Sequence, residues 1–121
     1  MTRYLTVTYY YPQGSLVFAQ DPTGAHDNPR PVIVISDMDR PYVEQEATVV
    51  CLTTQSDYSY EVTELPDDVL DDVALRKTSY VMPWAIYTIP LSSIRDNLPS
   101  GTLTEDGVHL VADVVEEMIR P

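Results

Sequence analysis

Through the first ninety residues apolar positions recur every second residue or run without a break. Only at the end of the chain do they fall every third or fourth residue. Residues 3–11, RYLTVTYYY, are rich in β-branched and aromatic types and predict a strand closed by Pro12-Gln13-Gly14. SLVFAQ predicts the next strand, followed by DPTGAHDNP, a nine-residue loop of turn formers. VIVIS is continuously apolar, the pattern of a strand buried on both faces. ATVVCLTT (residues 47–54) repeats it, with YSYEV (residues 58–62) as its expected hairpin partner. LPDDVLDDVALRKTS reads as a charged connection with room for a helical turn. SYVMPWAIYTIP resumes the strand pattern, but Pro83 cannot donate a ladder hydrogen bond and predicts an edge or a bulge there.

In TEDGVHLVADVVEEMIRP the period changes. Val108, Val111, Val115 and Met118 recur at helical spacing, with Val114 and Ile119 widening the stripe. Thr104 is the expected N-cap, Glu105 and Asp106 suit the positive end of the dipole, and Pro121 stops the run. The predicted architecture is mainly β with a C-terminal α element: one helix on a small, strongly bent antiparallel sheet. No repeat or linker divides the chain, so residues 1–121 are expected to form one domain, with residues 1–12 as an N-terminal extension strand.

Composition adds bounds. At 121 residues the chain is long enough to bury roughly two thirds of its unfolded surface, and 44% apolar residues make it an ordinary globular composition. No run approaches the roughly 18 apolar residues of a membrane span, and the N-terminus does not read as a signal peptide. The lone cysteine, Cys51, excludes an internal disulfide, and the cytoplasm is the expected location. Charge is the unusual feature: nineteen acids against seven bases give −12, and Lys77 is the single lysine. Such a field repels nucleic acid at low salt. Either the protein avoids polyanions, or it works in high salt, where at 1 M the Debye length is only about 3 Å.

The chemistry is narrowed further by what the motifs lack. His26 and His109 are far apart, no Cys/His cluster has ligand spacing, and no metal site or cofactor is expected. His109 reads as structural or surface, and Cys51, within an apolar strand, as core. The acid pairs at 67–68 and 71–72 read as solvated loop surface. Two features remain: Arg30 between two prolines at the mouth of one apolar strand, and the hydroxyl-rich TTQS (residues 53–56) directly after another. In a compact barrel-like sheet such strand ends can converge on one pocket. On spacing alone the alternative stands that TTQS caps a hairpin and Arg30 pairs with a surface carboxylate.

Taken in order, GSLVFAQDPTG, RPVIVIS, VVCLTTQSDYSYEV, KTSYVMPWAIYTIP and SGTLTEDGVHLVADVVEEMI resemble the MazF/PemK family of toxin ribonucleases over nearly the whole chain. The resemblance implies an SH3-like, CcdB/PemK-like barrel with a C-terminal helix, a homodimer, and a cognate antitoxin protein as partner. It implies metal-independent cleavage of single-stranded RNA, the ribose 2′-hydroxyl attacking the adjacent phosphate. Arg30 falls on the family's catalytic arginine and Thr53 on its catalytic threonine. The loop glutamate common in the family has no clear counterpart, which leaves His26 or Asp27 as proton acceptor; His26 has the better unperturbed pKa. Thr54, Gln55, Ser56, Tyr58 and Tyr60 are implied contacts to unpaired bases. Trp84-Ala85 stands where the family carries Asp-Gln, and Tyr87 at a commonly basic position, so Trp84 either stacks on a base or fills a dimer interface. Two other readings share the fold: a relative without cleavage that binds a protein or nucleic acid as a regulator, and a toxin that poisons gyrase by protein contact. Neither needs the Arg30/Thr53 pair.

Overall fold

The computed structural model describes residues 11–58, 62–71, 75, 77–96 and 98–121. The strand predicted for residues 3–11 lies outside these except for Tyr11, as does Tyr60. Among the described residues seven strands form one antiparallel sheet: β1 (Ser15–Ala19), β2 (Arg30–Val34), β3 (Glu46–Thr53), β4 (Thr63–Leu65), β5 (Leu70–Asp71), β6 (Ser79–Pro90) and β7 (Gly101–Leu103). Their spatial order is β4-β6-β3-β2-β1-β7-β5. The two edge strands, β4 and β5, are thus consecutive in the chain, joined only by Pro66 and a single 3-10 turn at Asp67–Val69. So short a link forces the sheet to curl until its edges come near each other, which is the strong bend expected from the sequence.

Curling gives the sheet two apolar faces, and the period-two alternation of the strands serves both. Leu16, Ile33, Val50, Leu52, Leu65, Val81 and Leu103 face the inside of the curl, with Leu70 packed against them, so every strand contributes. The helix α1 (Glu105–Ile119) closes this face through Val108, Val111, Val114 and Val115. Thr104 caps it as predicted, its hydroxyl accepting a hydrogen bond from the Gly107 amide at 3.1 Å. Val17, Val32, Val34, Val49, Cys51, Met82, Ala85 and Ile89 form the second face, against which Tyr58, Trp84 and Tyr87 pack.

β3 pairs with β6 on one side and with β2 on the other. Its expected hairpin partner, residues 58–62, lies mostly outside the described residues, and β4, which follows it, pairs with β6. The short strands β5 and β7 carry too few residues to show a period.

Gly107 is the tightest point between helix and sheet. A β-carbon there would lie 2.9 Å from the Val69 carbonyl oxygen and 3.1 Å from Leu103 Cβ. Glycine to alanine inside a helix normally gains about 1 kcal/mol. Gly107→Ala is expected instead to destabilise by about 1–3 kcal/mol through overpacking. A urea unfolding midpoint above the parent's would contradict this account of the helix seat.

Candidate functional site

The second face of the sheet carries a cleft of about 730 Å³. Its floor follows from strand register. Val32 pairs with Cys51 and Val34 with Val49; Arg30 lies two residues before Val32 and Thr53 two after Cys51, and both line the cleft. Both share the parity of Val32 and Cys51, and hence the same face. On its other edge Arg30 is paired with Ala19 of β1. Pro29 and Pro31 restrict the backbone around Arg30 to extended conformations, which lowers the entropy cost of holding it at the strand mouth.

A bulge in β6 builds the opposite wall. Val50 pairs with Ile86 and Leu52 with Val81, so Cys51 alone on β3 spans four residues of β6, Met82 to Ala85. The bulge contains Pro83, where the sequence predicts an interrupted ladder. It also reverses the side-chain parity of the strand. Met82 and Trp84 before the reversal, and Ala85 and Tyr87 after it, therefore all line the same cleft. Trp84 meets Tyr58 edge to face, with ring centroids 5.2 Å apart and planes inclined at 62°.

Arg30 is held without being saturated. Its Nε lies 3.7 Å from Asp21 Oδ1, beyond hydrogen-bond distance. Nη1 lies 3.7 Å from the Met82 sulfur, a weak acceptor. Among the described residues lining the cleft it is the one permanent cation. Thr53 is largely buried; its Oγ1 accepts a hydrogen bond from the Gln55 amide at 3.1 Å and lies 3.5 Å from the Tyr58 hydroxyl. Asp21 is the buried acid of the site. Burial opposes its ionisation, but hydrogen bonds from Thr23, the Arg30 charge and the His26 amide outweigh burial and hold the carboxyl below the usual aspartate value. Cys51, beneath the cleft floor, is fully buried as predicted. Burial pushes its thiol above the ordinary value, and the neighbouring guanidinium opposes that shift without reversing it.

Of the residues singled out from sequence, Arg30, Thr53, His26, Thr54, Gln55, Tyr58 and Trp84 all line the cleft. Ser56 is exposed and lies outside the lining, as does Asp27. His26 is exposed on the loop between β1 and β2, where its backbone amide donates to Asp21 Oδ2 at 3.2 Å. His109 is exposed on α1 with Glu105 Oε1 3.9 Å away, a surface position. Sequence reasoning missed Asp21 and Met82. For Asp21 a signal existed: the Asp-x-Thr spacing in DPTG is that of an Asx turn. Among the described residues no group of three or more His, Cys, Asp or Glu side chains is placed to hold a metal ion. No helix there is long and apolar enough to cross a membrane.

Neither a protein-family model nor a curated protein sequence matches the chain. Solved structures do. A MazF crystal structure from Deinococcus radiodurans is 18% identical, with a TM-score of 0.67 over 91% of this chain and 97% of that one. A mycobacterial endoribonuclease in complex with its cognate antitoxin is 17% identical, TM-score 0.61, over 88% and 89%. The Mycobacterium tuberculosis toxin MazF-mt6 is 22% identical, TM-score 0.58, over 85% and 93%. The curled seven-stranded sheet and C-terminal helix of this chain are thus the MazF fold, with Arg30 and Thr53 both lining its cleft.

Proposed function

We propose that the protein is an endoribonuclease toxin of a toxin–antitoxin pair that cuts single-stranded RNA without a metal. The juxtaposition of Arg30 and Thr53 in an aromatic-walled cleft carries this reading. In-line attack of a ribose 2′-oxygen on phosphorus gathers negative charge on the phosphoryl oxygens. A guanidinium with unsaturated donors meets that charge, and the Thr53 hydroxyl adds a further hydrogen bond to position it. The new bond joins the 2′-oxygen to phosphorus while the bond from phosphorus to the 5′-oxygen breaks. The 2′ proton passes to His26, and a proton is returned to the 5′-oxygen, leaving a cyclic phosphate and a 5′-hydroxyl. Tyr58 and Trp84 offer faces on which unpaired bases stack. Thr54 and Gln55 stand at the rim as hydrogen-bonding partners for base edges.

The remaining features follow the same reading. The enzyme acts as a homodimer in the cytoplasm and is inhibited by a cognate antitoxin, as the mycobacterial endoribonuclease of this fold is solved with its own. Its charge of −12 suits a medium of high salt. The test is a long RNA in molar KCl, with and without EDTA. Cuts that resist EDTA and end in cyclic phosphate are expected; RNA left intact at every salt concentration overturns the proposal. Thr53→Val keeps the shape of the side chain and removes the hydroxyl. Cleavage is expected to fall about tenfold, the weight of one hydrogen bond. Unchanged cleavage by this variant would remove Thr53 from the mechanism.

A further inference from the structure

Asp21 has a buried carboxylate whose side chain is 0% exposed, in a chain whose many other acids mostly face solvent. Among the described residues its hydrogen bonds and ion pair all reach the loop between β1 and β2 or Arg30. Oδ1 accepts from the Thr23 amide at 2.9 Å and from the Thr23 hydroxyl at 2.7 Å, and the same oxygen faces Arg30 Nε at 3.7 Å. Oδ2 accepts from the His26 amide at 3.2 Å. One side chain therefore ties together the loop that carries His26 and the strand mouth that carries Arg30.

A buried ion pair is weak evidence of stability, because desolvation offsets much of the attraction. Its geometry here is better suited to orientation. The carboxylate engages the guanidinium from its Nε side at a distance too long for a hydrogen bond. Nη1 meets the soft sulfur of Met82, a weak acceptor that leaves the terminal donors available to a phosphate. The attraction of the buried carboxylate draws the Nε edge of the guanidinium toward the loop and leaves the terminal fork, on which recognition of a phosphate depends, turned away from Asp21. We propose that Asp21 is the positioning residue of the site, setting the direction of the Arg30 guanidinium and the placement of His26 over the cleft without touching the substrate itself. The inference rests on the reading of Arg30 as the phosphate-binding cation.

The test compares Asp21→Asn with the parent, in the full chain, on three readouts. Asparagine preserves an acceptor for Thr23 and removes the charge. Cleavage of single-stranded RNA is expected to fall about 100-fold in kcat with KM changed by less than about threefold, the signature of a misaligned group. In single-turnover cleavage the loss is expected to appear when Arg30 is present and to be largely absent in an Arg30→Ala background. The Arg30 Nε–H resonance is expected to shift and to exchange faster with water. Folded Asp21→Asn protein that cleaves like the parent overturns the inference, as does a loss of cleavage that is the same with and without Arg30. An Arg30→Ala protein that cleaves like the parent overturns the underlying site reading instead, so the two failures are distinct. If Asp21→Asn does not fold, Thr23→Val removes one hydrogen bond from the same carboxylate. It is expected to lower kcat about fivefold, and no change in kcat then overturns the inference.

Discussion

Arg30→Ala is expected to lower RNA cleavage by about 1000-fold in kcat/KM, the scale of losing a preorganised charge donor at a developing oxyanion. The loss should exceed that of any other single change in the cleft, since Arg30 is the one permanent cation among the described residues that line it. The overall charge of −12 cannot supply a substitute from the surface. Arg30→Lys retains the charge but not the planar fork, and should recover only part of the loss. Stability should change little, by about 1 kcal/mol, because Asp21 keeps its hydrogen bonds from Thr23 and His26 when the cation is removed. Single-turnover cleavage and thermal melting of the same samples separate the two effects. Parent-like cleavage by Arg30→Ala would end the ribonuclease reading.

The second large effect lies on the opposite face of the sheet and has the opposite character. Leu16 is fully buried inside the curl, paired with Ile33 on β2 and with Gly101 on β7. Leu16→Ala removes buried methyl groups from a core to which all seven strands contribute, and should cost about 3 kcal/mol. In a domain of this size that lowers the melting temperature by about 10 °C. Cleavage per folded molecule, measured well below the transition, should stay at the parent level, because Leu16 faces away from the cleft. A melting temperature within 2–3 °C of the parent, itself roughly the effect of 1 kcal/mol, would mean that the inner core collapses around the vacancy.

The elements and their chemistry were legible to different depths. VIVIS and ATVVCLTT announced themselves as doubly buried strands because their apolar runs are long enough to fill both faces, and the structure buries Val32, Ile33, Val49 and Val50 accordingly. Thr104 declared the helix start because capping chemistry is local. Pro83 declared an interruption because its missing N–H is a property of the residue itself. That β6 pairs along β3 was not legible, because it comes far on in the chain, beyond β4 and β5. Which strand lies beside which depends on covering both edges of the sheet, and that is a global condition.

The site divides along the same line. Residue type and family order singled out Arg30, Thr53 and His26, and the prolines around Arg30 indicated an extended strand mouth. That Arg30 and Thr53 share one cleft depends on the register between β2 and β3, which one slipped residue would destroy by turning one of the two to the other face. That Trp84 and Tyr87 share the cleft depends on how far the bulge at Pro83 shifts the strand. That Asp21 is the buried partner of Arg30, one carboxylate among nineteen acids, depends on β1 and β2 lying side by side, although its turn with Thr23 is local. Local chemistry is written in the residues themselves. Distances between residues far apart in the chain are set only when the sheet closes, because register and burial are properties of the assembled strands.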